Sequence, residues 1–239
     1  VPLDKEIDLL LPKKSLNKDF WGIGLSIEPS VRDTLIEIAN DFVTKAKIGK
    51  KIVKDYLVTG SIANYNWSKY SDVDLHIVVD LRFSTNNEVL KNYLDAKKSL
   101  WNDKHVITMF GHEVEIYVQD IEEPHYSTGT YSLLKDRWIT RPKRISVDNL
   151  DKDSIVKKVR VVNHYISHLE NLYEKREYKK VYELAEMLKE KIRKMRNAGL
   201  AKEGEFSAEN LVFKVLRRTK KLEKLSELYI KAYDKNLEI

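Results

Sequence analysis

Apolar residues recur along this chain in two rhythms. Up to about residue 119, short alternating stretches are mixed with helical ones. Ser30-Val31-Arg32-Asp33 reads as a helix start, with Ser30 as cap and Asp33 three residues later. Val31, Leu35, Ile38 and Phe42 then share one face, which predicts a helix to about Lys47. Lys54 to Thr59 is a short strand candidate ended by Gly60. Ser71 to Asp80 alternates cleanly: Val73, Leu75, Ile77 and Val79 take one face, and Asp72, Asp74, His76 and Val78 the other. Residues 85–101 return to helical spacing through Val89, Tyr93, Leu94, Leu100 and Trp101. Lys104 to Phe110 and Glu113 to Gln119 read as two strands of a hairpin around Gly111-His112.

From Asp151 onward the period is helical and the segments lengthen. Val156, Val159, Val162, Ile166 and Leu169 form one stripe; Val181, Leu184, Leu188, Ile192 and Met195 form another, closed by Asn197-Ala198-Gly199. Ser207 caps a third helix, striped by Leu211, Val215, Leu222, Leu225 and Tyr229 and broken near Thr219. The fold class predicted is α+β: a mixed-sheet domain over 1–145 and a helical domain over 146–239, joined near Pro142 to Asn149.

Composition narrows the chemistry. There is no cysteine, which excludes disulfides, thiolate metal sites and a cysteine nucleophile, and fits a reducing, cytoplasmic setting. No stretch reaches the length of a membrane span, so no membrane partner is expected. Acidic residues precede the short apolar run at the start, unlike a signal peptide, and the first residue, Val1, points to a processed or trimmed end. Residues 151–239 carry 22 Lys/Arg against 15 Asp/Glu, a net of +7, whereas residues 1–150 are at −1. A polyanion such as RNA suits the basic part; a solvated helical exterior explains the same charges.

The informative stretch is Val58 to Asp80. Asp72 and Asp74, two apart on a strand, project from one face. Two carboxylates repel by about 4 kcal/mol at a separation of about 4 Å and an effective dielectric of about 20, and a hard cation relieves that. All-oxygen donors suit magnesium or manganese. Glu115, in His112-Glu113-Val114-Glu115-Ile116, adds a third carboxylate if its strand pairs beside 71–80; Glu113 is the rival on the same face. Three carboxylates are able to hold two divalent ions about 3.5–4 Å apart. Gly60-Ser61, directly after a strand, lets backbone approach terminal phosphates, helped by the Ser61 hydroxyl and a short helix through Ile62 to Asn66. The pattern is not a P-loop.

Gly60-Ser61, Asp72-Val73-Asp74 and Val114-Glu115-Ile116 together resemble the signature of the DNA-polymerase-beta-like nucleotidyltransferase superfamily. The resemblance covers residues 55–119. It implies a small mixed sheet backed by helices and followed by a helical domain. It also implies two metal-binding aspartates, and a third carboxylate that binds the catalytic metal or acts as a base toward the acceptor. Small antitoxin-like and antibiotic-modifying members often have arginine and glycine where this chain has Asn64 and Tyr65. In outline the whole chain also resembles a small group of bacteriophage nucleotidyltransferases.

Other candidates are secondary. His76 is placed to contact phosphate or acceptor. The segment His125 to Trp138 reads as a loop and helix start able to hold a base or ribose, with Tyr131 stacking and Ser132 capping; Lys135 leads a basic run through Arg137, Arg141, Lys143 and Arg144. Lys191, Arg193, Lys194, Arg196, Arg217 and Arg218 are candidates for a nucleic-acid groove. His164 and His168 have metal-ligand spacing but no accompanying HExxH, and are not read as ligands. The function expected is transfer of a nucleoside monophosphate from a nucleoside triphosphate to an acceptor hydroxyl. The acceptor is an RNA 3′ end, a small molecule or a protein, and a non-catalytic nucleotide- or RNA-binding module is the alternative.

Overall fold

The structure, a computed structural model, describes residues 3–83, 86–123, 127–144 and 150–238. In chain order it contains α1 (Leu3–Asp8), α2 (Pro29–Lys45), β1 (Val53–Thr59), β2 (Val73–Val79), α3 (Asn87–Lys104), β3 (Thr108–Met109), β4 (His112–Asp120), β5 (Thr130–Ser132) and β6 (Arg137–Thr140). The helices α4 (Lys152–Glu174), α5 (Tyr178–Glu203), α6 (Ala208–Arg218) and α7 (Lys221–Leu237) follow. The chain divides into two units, one over 12–146 and one over 1–11 with 147–239.

In the first unit, the alternation of β2 decides which way the sheet faces. Val73, Leu75, Ile77 and Val79 are all at most 1% exposed, and they pack with Val31, Leu35 and Phe42 of α2 and Leu94 and Trp101 of α3. Each such side chain contributes about 1.5–3 kcal/mol by leaving water. The sheet is mixed, in the order β3-β4-β2-β1-β5-β6. β1 runs antiparallel to β2, whereas β4 runs parallel to it. A parallel pair needs a long crossover, and α3 lies within that connection.

Several local expectations are corrected. Helix α2 starts at Pro29, with Glu28 at the cap position, so Ser30 is already helical; the fixed φ of proline suits a first helical residue. Strand β3 is two residues long, and its turn to β4 is made by Phe110 and Gly111, both at positive φ. The segment after Ser127 forms the β5–β6 hairpin, not a helix start; His125 lies outside the described residues.

In the second unit, Ile155, Val159, Ile166 and Leu169 of α4 meet Val181, Ala185 and Ile192 of α5 and Leu211, Val215 and Leu225 of α6 and α7. Ile7 and Leu10 belong to this core too. Helix α5 continues through Gly199, which is buried against Ser207, and ends at Gly204 with φ 75°. Ser207 caps α6 by accepting from Asn210 N, and the break at Thr219 separates α6 from α7. Among the described residues no helix is long and apolar enough to cross a membrane.

Candidate active site

The polar face of the sheet carries the candidate chemistry. β1 delivers Thr59 opposite Asp74, and the chain then turns through Gly60 at φ 69°. A Cβ on Gly60 would sit 1.6 Å from Asp74 Oδ2. The glycine therefore serves both the left-handed turn and the space that the Asp74 carboxylate occupies. Strand β4 places Glu115 directly opposite Asp74 from the other side. The register pairs Glu115 with Asp74, and Glu113 stands two residues earlier on β4, opposite Thr108 of β3. Asp72 stands just before β2; Asp72, Asp74 and Glu115 are all half-buried.

The Gly60 turn is fixed by side chains. Ser61 Oγ donates to Ser71 Oγ at 2.7 Å, and Ser68 N donates to the same oxygen at 2.9 Å. The Ser71 carbonyl takes a bond from His112 Nδ1 at 2.6 Å. A carbonyl only accepts, so Nδ1 carries the proton and Nε2 accepts from Asn17 Nδ2 at 3.2 Å. Trp21 Nε1 donates to the Ile62 carbonyl at 2.8 Å. The stretch expected to be a short helix is a series of turns, with Asn64 N bonded to Ser61 O at 3.1 Å. The cause is Asn64 itself. Its Oδ1 takes the Tyr65 amide at 2.9 Å, and its side-chain amide donates to Thr128 Oγ1. Such local side-chain bonds compete with helix. A Cβ on Gly129 would lie 2.0 Å from the Ala63 carbonyl, so only a glycine lets this strand pass so close.

The remaining candidates go elsewhere. His76 is stacked on Tyr117 with ring centroids 4.9 Å apart, and its Nδ1 donates to Gln119 Oε1 at 2.9 Å. Tyr117 in turn donates to Glu115 Oε2 at 2.6 Å. His76 thus belongs to a line of side chains that holds Glu115.

Tyr131 and Ser132, expected at a nucleotide, stand in the interior at 3% and 0% exposure. The Tyr131 ring packs edge-on against Trp21 and Trp138, and its hydroxyl donates to Asp136 Oδ1 at 2.8 Å. Burial first, then that bond to Asp136, push its pKa up to about 12. Trp21 is the residue that bonds the Ile62 carbonyl, so Tyr131 supports the turn from behind. Ser132 Oγ donates to buried Asp55 at 2.8 Å. Lys135 sits 3.4 Å from the same carboxylate. Leu133 N bonds Tyr56 O at 2.8 Å, which sets the Lys135 turn beside the middle of β1. Gly60 is five residues beyond Asp55, the partner of Lys135, about 16 Å at about 3.3 Å per residue. Among the described residues of this segment, Thr128 and Gly129 do reach the turns after Gly60, at Asn64 and at the Ala63 carbonyl. Composition hid them: a threonine and a glycine carry no charge or ring to mark a site. Arg144, from the predicted basic run, lies 5.5 Å from the Tyr65 ring centroid.

The donor set is the kind a hard divalent ion takes: carboxylate oxygens on adjacent strands, with a glycine leaving room for the Asp74 carboxylate. Among the described residues, no three or more His, Asp or Glu side chains yet converge on one point; Tyr117 draws one oxygen of Glu115 to itself.

Residues 35–141 match the family described as nucleotidyltransferase domain. No curated protein matches the chain. Among solved structures, a STING-associated CdnE c-di-GMP synthase from Capnocytophaga granulosa is similar at 14% identity, over 87% of this chain and 84% of that one, with a TM-score of 0.23. The chain therefore has a mixed-sheet domain that matches a nucleotidyltransferase domain over residues 35–141, followed by a helical bundle of α4 to α7.

Proposed function

We propose that the chain transfers a nucleoside monophosphate from a nucleoside triphosphate to an acceptor hydroxyl, releasing pyrophosphate, and that the acceptor is an RNA 3′ end. The observation that supports this most is the register of Asp74 against Glu115 beside the Gly60 turn. Asp72, Asp74 and Glu115 would hold magnesium or manganese. Bound there, a divalent ion neutralises phosphate charge and lowers the pKa of a hydroxyl. The Gly60-Ser61 backbone receives the terminal phosphates. Glu115 faces the acceptor and takes its proton as the oxygen attacks the alpha phosphorus. The new oxygen–phosphorus bond forms as the bond to the beta-phosphate oxygen breaks, and pyrophosphate carries that electron pair away. Positioning and charge neutralisation supply the acceleration.

On this reading Glu115→Gln lowers turnover by about 100-fold or more while nucleotide KM changes little, as fits a group acting on the acceptor side. Glu113→Gln leaves both within about twofold, the outcome for an interaction outside the transition state. Steady-state pyrophosphate release measures both. The reverse order would transfer the role to Glu113 and overturn the pairing argument.

The RNA acceptor is supported by the net +7 of residues 151–239. Many of those cations are matched within their own helix, as Arg193 is by Glu190 at 2.8 Å and Lys231 by Glu227 at 3.2 Å. Exposed pairs of this kind are weak and yield readily to a phosphate. RNA affinity is then expected to fall with salt, with a log–log slope of about −0.7 per phosphate contact on a single strand. Titrating an RNA pool at rising salt, for the wild type and for charge reversals at Lys191, Arg193, Arg217 and Arg218, measures it. A flat slope, or transfer untouched by all four reversals, would remove RNA as the acceptor and bring small-molecule or protein acceptors forward.

A further inference from the structure

His112 is a polar residue on an apolar face. It opens β4 and is 5% exposed, on the same side of the strand as buried Val114 and Ile116. Burying an imidazole is unfavourable unless its nitrogens find partners, and both do. Nδ1 donates to the Ser71 carbonyl at 2.6 Å, and Nε2 accepts from Asn17 Nδ2 at 3.2 Å. The Asn17 amide is itself oriented, because its Oδ1 takes the Asp19 amide at 2.9 Å. Phe20 stands edge-on to the imidazole, with ring centroids 5.6 Å apart. The Asn17 carbonyl in turn accepts from Phe20 N at 3.2 Å and from Trp21 N at 3.0 Å. Tautomer and ring orientation are thus both set.

These bonds meet at one peptide. β2 and β4 run parallel with Val73 opposite Val114, so two residues earlier Ser71 comes opposite His112. The paired register begins at Val73; just before it, the Ser71 carbonyl is held by the His112 side chain. That carbonyl belongs to the planar peptide group joining Ser71 to Asp72, so holding it fixes the plane from which Asp72 starts. Ser71 Oγ accepts from Ser61 Oγ at 2.7 Å and from Ser68 N at 2.9 Å. One buried ring therefore acts, through one serine, on both the Asp72 backbone and the Gly60-Ser61 turn.

We propose that His112 is a positioning residue for the candidate metal site: by holding the Ser71 carbonyl it sets the direction of Asp72 and keeps it in register with the Gly60-Ser61 turn. It acts through Ser71 and not on a reacting atom. The inference rests on the reading of Asp72 as a metal ligand. Groups that stand one step behind a ligand and orient it commonly govern about 10–100-fold of metal affinity.

Two substitutions separate this role from plain packing. An asparagine carries its side-chain nitrogen as far along the side chain as Nδ1, and a glutamine carries its amide as far as Nε2. His112→Asn therefore keeps a donor for the Ser71 carbonyl and gives up Asn17. His112→Gln keeps an acceptor for Asn17 and gives up the Ser71 carbonyl. Each leaves one buried group short of a partner, so both are expected to lower the melting temperature. Manganese binding, measured by calorimetry on the full chain without nucleotide, is expected to weaken about tenfold or more in His112→Gln and less than about threefold in His112→Asn. A role in packing alone would move the two together. Where either variant fails to fold, the parent carries the test: NMR of the imidazole nitrogens is expected to show the His112 proton on Nδ1, and the Nδ1 resonance to move when magnesium is added. A proton on Nε2, a resonance unmoved at saturating magnesium, or equal manganese affinity in the two variants would overturn the proposal. A parent that binds no manganese would overturn the metal reading, and this inference with it; a parent that binds it, with His112→Gln equal to the parent, would overturn this inference alone.

Discussion

Asp74→Asn is expected to cut pyrophosphate release by about 1,000-fold or more, since several kcal/mol of charge stabilisation depend on that carboxylate. The same change is expected to leave the fold intact, because Asp74 stands half-buried on the polar face of β2 while Val73 and Leu75 hold the strand in the core. Activity and stability are thus expected to separate. Coupled assays of pyrophosphate beside melts with and without magnesium test both. A folded Asp74→Asn protein at full activity would defeat the metal-holding role, and a clear loss of stability would mean that the carboxylate is structural.

Gly60→Ala is expected to be nearly as damaging to activity, by a different route. The added Cβ would overlap Asp74 Oδ2 at 1.6 Å, so the carboxylate must rotate away or β1 must shift. The left-handed φ of 69° adds strain, about 1–2 kcal/mol for a residue with a Cβ. The melting temperature is therefore expected to fall by a few degrees while activity falls by about 100-fold or more, in line with the cost of misplacing a reacting group. Ser61→Ala, which removes one hydroxyl bond to Ser71 but no space, serves as the comparison. If Gly60→Ala retained wild-type turnover, the close fit between the turn and Asp74 would have no functional meaning.

The sheet was legible because alternation is a local signal. Val73, Leu75, Ile77 and Val79 declare the buried face of β2, and Asp72 and Asp74 follow on the other by parity alone. The place of Glu115 beside Asp74 needed only a strand with the right parity and an apolar bracket. The interior roles of Tyr131 and Ser132 were not legible, because a hydroxyl near a glycine reads as a binding loop until its partner is known. That partner, Asp55, is a buried carboxylate 77 positions away in sequence. Nor did the residues from Ile62 to Asn66 announce a set of turns: the competing bonds come from Asn64 and from Thr128, the latter on a distant segment. The first helix shows the same limit. Ile7 and Leu10 look like the start of the sheet domain in sequence, yet their apolar partners lie in α4 to α7.

That last placement has a consequence for how the chain reaches its native state during synthesis. The unit over 12–146 emerges from the ribosome complete, with all of its strands, while α1 has left first and must wait. Its partners are encoded more than 140 residues later, starting with Ile155. Domains generally fold as units as they are made, so the sheet unit is free to form early, and its own folding draws the two ends of the helical unit's chain toward each other. The loop that α1 would otherwise have to close is then already shortened, and its entropic cost falls accordingly. In this sense the sheet unit is also a folding aid: an inserted clasp whose own assembly makes docking of the first helix less costly.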